Sequence, residues 1–84
     1  MLSNDSTKSD QNAHSQRVLY LIENNLDSIF MWAQNHNNVP CYKTRITQSQ
    51  IGWVIELNKA DKNHSLFLLE YSHSVTNIMG TYYV

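Results

Sequence analysis

Apolar residues recur at helical spacing in the stretch before Pro40. Between residues 12 and 36 they follow steps of three and four, and the opposite side carries polar residues such as Glu23, Asn24 and Asp27. One continuous helix over this range would measure about 37 Å at 1.5 Å per residue, which is long for a small domain. Because Asn24 and Asn25 are poor helix formers and Asn25 or Asp27 suits a helix N-cap, the sequence predicts either one helix or two with a bend near Leu26. The apolar stripe comprises Val18, Leu19, Ile22, Leu26, Ile29, Phe30 and Ala33.

After Pro40 the apolar period changes from 3.6 to 2, which favours β-strands. The alternation predicts strands near residues 42–47, 51–58, 65–72 and 76–84, with tight turns at 47–50 and a longer connection at 58–63. The predicted fold class is therefore α+β: a two-layer domain whose N-terminal helix packs on a three- or four-stranded antiparallel β-meander. The pattern leaves open whether the last strand is central or at a sheet edge.

The third and fourth predicted strands carry large apolar side chains on both faces. An antiparallel sheet of this kind normally keeps one face polar, and uncovered apolar groups on a small sheet mark an interface. The last strand, if it lies at an edge, also offers unpaired backbone groups to another chain. A homodimer or a foreign protein partner would cover this surplus. The candidate contact residues are Trp53, Phe67, Tyr71, Met79, Tyr82 and Tyr83.

Length and punctuation limit the chain to one domain. The 84 residues include one Pro and two Gly, and no linker-like segment separates two folded units. We expect residues 1–11 to be a loose N-terminal tail and residues 12–84 to form a single α+β domain. A chain of this size buries only roughly 60% of the surface that it exposes when unfolded, so its core is thin. Cys41 is the only cysteine, so no internal disulfide compensates.

The charge balance narrows the partners. Charged residues make up 15% of the chain and the net charge is −1. This net charge is too close to zero for a protein that binds duplex nucleic acid through phosphate contacts. It is also too close to zero for an acidic protein that mimics DNA. The N-terminal segment has no apolar signal-peptide region, and no stretch approaches the ~20 apolar residues that span a bilayer. We therefore expect a cytoplasmic protein without a membrane partner.

Candidate catalytic groups are present, but without a recognised spacing. With glycine only at positions 52 and 80, a glycine-rich phosphate-binding loop is excluded, and no serine-hydrolase or zinc-protease motif occurs. His36 and Cys41 flank the Asn37–Pro40 turn, where the simpler interpretation is an exposed histidine and a small buried thiol. Glu70 and His73 would face opposite sides of a regular strand. The sequence therefore predicts no catalytic residue, metal, cofactor or small-molecule substrate.

A nucleic-acid interpretation is the alternative. Lys43 and Arg45 share a face of one predicted strand, and Lys59 and Lys62 lie in a nearby loop. Tyrosines on the sheet would offer stacking surfaces for single-stranded bases. Four weakly clustered cations are a thin electrostatic footprint, so this hypothesis ranks second.

The sequence resembles no protein family, and its function follows by elimination. A small domain without catalytic motifs, with surplus apolar surface, is typical of a non-enzymatic protein that acts by occupying the surface of a partner. Immunity proteins, phage or mobile-element inhibitors such as anti-CRISPRs, and accessory proteins belong to this class. The predicted function is therefore protein binding with self-association, and the alternative is a single-stranded nucleic-acid-binding or regulatory nucleoprotein factor.

Overall fold

The computed structural model describes residues 15–83, which form a four-stranded antiparallel sheet and two α-helices. The expected tail at residues 1–11 lies outside the described residues, as does the start of the predicted helix at residues 12–14. A short 3-10 turn at Ser72–Ser74 precedes the last strand. In chain order the elements are β1 (Gln16–Ile22), α1 (Leu26–Asn35), β2 (Cys41–Thr47), β3 (Gln50–Asn58), α2 (Lys62–Tyr71) and β4 (Val75–Tyr83).

The strands lie in the order β2-β3-β1-β4, and every neighbouring pair is antiparallel. Two β-α-β units are thus interleaved, because β3 lies between β1 and β2, and β1 lies between β3 and β4. Element order and strand order together are those of the split β-α-β, or ferredoxin-like, topology. This topology serves many unrelated functions, so it positions a site without naming one.

The predicted fold class is confirmed as α+β, with helices on one face of an antiparallel four-stranded sheet. Helix α1 precedes the β2–β3 hairpin, and the turn between Thr47 and Gln50 lies where the alternation predicts it. The sheet is not a meander, however. Helix α2 follows β3, and the chain then crosses to place β4 beside β1.

The first half of the predicted N-terminal helix is wrong, because residues 16–22 form strand β1 and helix α1 begins only at Leu26. Strand β1 is central in the sheet. Val18, Tyr20 and Ile22 are buried beneath the helices, and Leu21 is buried on the opposite face. A strand that is covered on both faces has no polar residues alternating with apolar ones, so it forms a continuous apolar run. Such a run contains apolar residues three and four positions apart and therefore also fits the spacing of a helix.

The predicted third strand is also wrong, because residues 62–71 form helix α2. Asp61 caps this helix, its Oδ1 accepting a hydrogen bond of 3.0 Å from the Asn63 backbone N–H. The face that packs inward carries Asn63, Phe67 and Tyr71, spaced four apart. Because the first of these positions is the polar Asn63, the segment shows no continuous apolar helix face. The alternation of the residues around Phe67 therefore favours a strand instead.

The core lies between the sheet and the two helices. Phe67 is its centre, with its ring 5.4 Å from Trp32 of α1 and 6.2 Å from Tyr20 of β1. Burial of one such aromatic ring stabilises the fold by roughly 1.5–3 kcal/mol. Full membership of the buried cluster is Val18, Tyr20, Ile22, Ile29, Trp32, Ala33, Ile55, Leu57 and Phe67.

Asparagines occupy the left-handed backbone positions that redirect the chain around α1. Asn25 has φ 57° just before the helix, and Asn37 and Asn38 have φ 64° and 53° just after it. Asparagine tolerates this region better than most residues with a Cβ. The Asn25 side chain also donates a 2.9 Å hydrogen bond to Oγ of the fully buried Ser74, and so ties the start of α1 to the start of β4.

Candidate protein-binding surface

Strand β4 lies at an edge of the sheet, which answers the question that the sequence leaves open. Its inner side pairs with β1 over Gln16–Ile22. Its outer side adjoins no other strand of the sheet formed by residues 15–83. An edge strand presents backbone groups with which another chain can pair.

The two edges of the sheet differ in how they are protected. Strand β2 carries exposed Lys43 and Arg45, and charged side chains are a common device against unwanted pairing of sheet edges. Strand β4 contains no charged residue and no proline along its nine residues. By the criterion of charge, the sheet edge at β4 is open to pairing with another strand, and the edge at β2 is protected from it.

The first half of β4 is irregular and satisfies part of its own hydrogen bonding. The register with β1 shifts twice, once at Thr76 and once at Met79. The Ile78 N–H donates to the Asn77 side chain at 2.8 Å, and the Thr76 hydroxyl donates to the Leu21 carbonyl at 3.3 Å. From Gly80 to Tyr83 the pairing with β1 is continuous. The regular stretch that ends the strand is therefore the part best shaped to accept another strand.

Three of the six predicted contact residues lie together on β4 and point at least partly into solvent. Met79 is 37% exposed, Tyr82 is 43% exposed and Tyr83 is 65% exposed. Ile78 beside them is also exposed, which the sequence pattern did not single out. The last strand thus combines an open backbone edge with large apolar side chains.

The other three predicted contact residues lie on the helix side of the sheet. Phe67 is 0% exposed, so it belongs to the core and cannot contact a partner of the folded chain. Trp53 is half-buried, with its ring edge-on to Phe30 of α1 at 4.8 Å, and Tyr71 packs against Phe67 at 5.7 Å. The exposed leucines of α2, Leu66 and Leu69, are instead the apolar groups that this segment shows to solvent. The sequence pattern alone does not identify these two leucines as exposed, because it predicts a strand for this segment.

The sheet face opposite the helices carries a polar cluster that involves all four strands. Tyr82 on β4 and Tyr42 on β2 both donate hydrogen bonds to the Glu56 carboxylate on β3, the Tyr42 bond measuring 3.3 Å. The bond to Glu56 raises the pKa of Tyr82, although the nearby Arg17 guanidinium on β1 opposes that rise. The Tyr82 side chain is thereby held back over the sheet, which fixes the orientation of one exposed aromatic group on the edge strand.

Part of this open face is closed by the chain's own aliphatic side chains. A Cβ on Gly52 would lie 2.8 Å from the Leu21 methyl carbon and closer still to a methyl of Ile46, so the absence of a side chain lets these groups meet over the sheet. Val54 and Leu21 are buried as a result. The surplus apolar surface that the sequence predicts on both faces is consequently smaller on the sheet face. Of the exposed large apolar residues, four lie together on β4, and the others include Met31, Ile51, Leu66 and Leu69.

The four cations of the nucleic-acid alternative lie in two separate places. Arg45 pairs with Ile51 near the start of β3, whereas Lys59 follows its last residue, Asn58. These ends of β3 are about 23 Å apart at ~3.3 Å per residue. Lys43 is further engaged with the Trp53 ring, its Nζ 5.5 Å from the ring centroid. Within the described chain, the four side chains do not make one basic patch.

The Cys41 thiol and the His36 imidazole have ordinary structural surroundings. Burial raises the pKa of Cys41 to about 11, so its thiol is protonated and weakly nucleophilic at neutral pH. It lines a groove of about 310 Å³ between α1 and the hairpin, whose walls carry both apolar and amide side chains. His36 stacks on Trp32 at 4.1 Å, with its Nδ1 2.7 Å from the Trp32 carbonyl oxygen. No cluster of three or more histidine, cysteine or acidic residues suited to a metal ion occurs within residues 15–83.

His64 on α2 is engaged with the core rather than with solvent. Its Nε2 lies 2.7 Å from the Tyr20 hydroxyl, and the two rings stack at 5.7 Å. Burial, with a smaller contribution from the Lys59 charge, lowers the pKa of His64. The neutral imidazole is thus the form that the fold favours, which makes this residue a structural contact with a pH dependence.

None of the helices in the described part of the chain is long and apolar enough to cross a membrane. No protein-family model, curated protein or solved structure matches this chain. Function must therefore be argued from the surface itself.

Proposed function

We propose that this chain is a non-enzymatic protein-binding protein that contacts its partner through the edge strand β4. The observation that carries the proposal is the asymmetry of the sheet: one edge bears Lys43 and Arg45, and the other is nine residues long, uncharged and exposed. Proteins normally guard such an edge, because it accepts strands from other chains. The end of β4, Gly80–Tyr83, has neither a charge nor a register shift, and it therefore supports a role in recognition.

Strand addition divides the work between backbone and side chains. Main-chain hydrogen bonds along Met79–Tyr83 would supply affinity, and side chains alternating above and below the strand would supply specificity. Tyr82, Tyr83 and Met79 are residue types over-represented at protein interfaces. Because the Glu56 carboxylate already orients the Tyr82 side chain, less conformational entropy is lost when a partner docks on it.

The biological class we propose is an inhibitory or accessory protein, such as an immunity protein or a phage or mobile-element inhibitor of the anti-CRISPR kind, acting in the cytoplasm. Support comes from the small size, the near-neutral charge and a partner surface made of one strand rather than a cleft. Such a protein acts sterically, by covering a surface that its partner needs.

Affinity capture with matched variants tests the proposal. Thr81→Lys places a charge in the middle of the regular stretch of β4, at an exposed position, whereas Thr47→Lys places the same charge at an exposed position on β2. We expect proteins recovered by the native chain and by Thr47→Lys to be lost with Thr81→Lys. Equal recovery by all three baits would refute a β4 contact. Recovery of only further copies of the chain would restrict the partner to the chain itself.

A further inference from the structure

We infer that the occupant of the β4 edge is a second copy of this chain, paired antiparallel to the first around a two-fold axis at Thr81. This inference rests on the proposed function, since it names the partner of the same edge. It joins two four-stranded sheets into one continuous sheet of twice the width. A foreign partner that used β4 would then compete with self-pairing.

Symmetry limits the registers that are possible. When two identical strands pair antiparallel about an axis perpendicular to the sheet, opposed residues point to the same face of the sheet. A residue that points to one face in the first copy is therefore opposite a residue that points to that face in the second copy. The bulge at Met79 confines regular pairing to the end of β4. Centring the axis on Thr81 places Gly80 opposite Tyr82 of the second copy, and Met79 opposite Tyr83 of the second copy.

The side chains suit this register. Gly80 has no heavy atom within 4 Å of the place where a Cβ would stand, so nothing beside it obstructs the approach of the second copy, whose Tyr82 ring stays over its own sheet on the Glu56 carboxylate. Threonines opposed at the axis and a methionine against a tyrosine are favourable pairs.

Charge also favours β4 over the other edge. Self-pairing of β4 opposes no like charges, because the strand has none, whereas self-pairing of β2 would bring two copies of Lys43 and Arg45 together. The net charge of −1 adds little repulsion between whole molecules. Pairing over so short a stretch buries less than the ~800 Å² per partner of a stable complex, so the dimer should be weak and reversible.

A cysteine at the axis provides a direct trap. Opposed residues of an antiparallel pair have Cα atoms about 4.5–5.5 Å apart, within the range that a disulfide spans. In a Cys41→Ala background, the Thr81→Cys thiols of two copies lose two electrons and two protons to an added mild oxidant such as oxidised glutathione, and one S–S bond forms. We expect Thr81→Cys to give a covalent dimer rapidly, and Thr47→Cys in the same background to remain monomeric.

Charge variants at the same position give a second readout. In sedimentation equilibrium of the purified chain, we expect the native protein to associate reversibly at high micromolar concentration. Thr81→Glu and Thr81→Lys alone should be monomers, and an equimolar mixture of the two should associate again. Circular dichroism matching that of the native protein establishes that each variant folds.

The inference is overturned if Thr81→Cys dimerises no faster than Thr47→Cys, or if the native chain stays monomeric at the highest concentration. Those outcomes leave the proposed function standing when Thr81→Lys still loses a captured foreign protein. Conversely, a trapped dimer with no foreign protein that depends on β4 would uphold the second copy as partner and remove the inhibitory role.

Discussion

Replacing Phe67 and Leu69 by alanine separates the observed helix from the strand that the sequence predicts. In a strand the two residues would share one face and contribute similarly. In helix α2, Phe67 is 0% exposed and Leu69 is 84% exposed. Removing a buried phenylalanine ring costs about 3–5 kcal/mol, whereas an exposed substitution usually stays within about 0.5 kcal/mol.

The Phe67 value is large against the whole stability of the domain, which is roughly 4–13 kcal/mol for a chain of this length at ~0.05–0.15 kcal/mol per residue. Phe67→Leu is the milder companion, since it keeps an apolar group in place at a cost of about 1–2 kcal/mol. Urea unfolding followed by circular dichroism measures each change. With a slope of ~1 kcal/mol per molar urea for a small domain, Phe67→Leu should lower the midpoint by about 1–2 M.

Leu69→Ala is the control for composition and helix propensity. It should leave the midpoint almost unchanged, because alanine is at least as good a helix former as leucine. Equal losses for Phe67→Ala and Leu69→Ala would contradict the α2 assignment, and with it the placement of β4 at the sheet edge.

Three further predictions concern the side chains of His64, Asn25 and Cys41. The folded-state pKa of His64 lies below its ordinary value of 6.5, so the unfolded chain takes up a proton at a higher pH than the folded chain does. The free energy of unfolding should therefore fall as the pH drops below about 6.5 and level off below the folded-state pKa. In thermal unfolding, His64→Gln should weaken this pH dependence. Asn25→Ala should destabilise more than Asn25→Gly, because both lose the bond to Ser74 but only alanine adds about 1 kcal/mol of left-handed backbone cost; equal midpoints in urea would contradict this. Cys41, with its pKa of about 11, should react slowly with a thiol reagent at pH 8 in the folded chain and rapidly in urea; fast reaction without urea would show an accessible thiolate.

The hairpin and the last strand could be predicted from the sequence because they obey a single period. Residues 42–47, 51–58 and 76–84 alternate, and the observed strands match these ranges to within one residue at each described end. Pro40 ends the helical pattern where α1 has already ended. Local rules suffice for elements with one buried face.

Strand β1 and helix α2 could not be predicted, because tertiary burial overrides their local pattern. Strand β1 is apolar on both faces as the centre of the sheet, and α2 buries the polar Asn63, whose side chain donates to the His36 carbonyl at 3.3 Å. The Asp61 cap is a local signal for α2, but it lies in a segment whose polar residues predict a loop.

The candidate site depends on these two elements. The sequence identifies Met79, Tyr82 and Tyr83 as surplus apolar groups, but β4 becomes an edge only because α2 carries the chain across to the outer side of β1. The sequence wrongly groups Phe67 with them, because the alternation in its segment predicts a strand where the chain forms α2. The order of strands in a sheet is set by the connections between them. The alternation of residues along one strand therefore does not predict which strands are its neighbours.

Hydrogen exchange of the backbone amides, resolved along the sequence, tests most directly whether β4 is the contact surface. The purified chain is compared at low and high concentration, and again with any protein that it captures. We predict that the amides of Met79–Tyr83 that point away from β1 become protected on association, while those of Cys41–Thr47 on the opposite edge do not change. Protection confined to β2, or β4 amides that exchange at the same rate under every condition, would contradict the account.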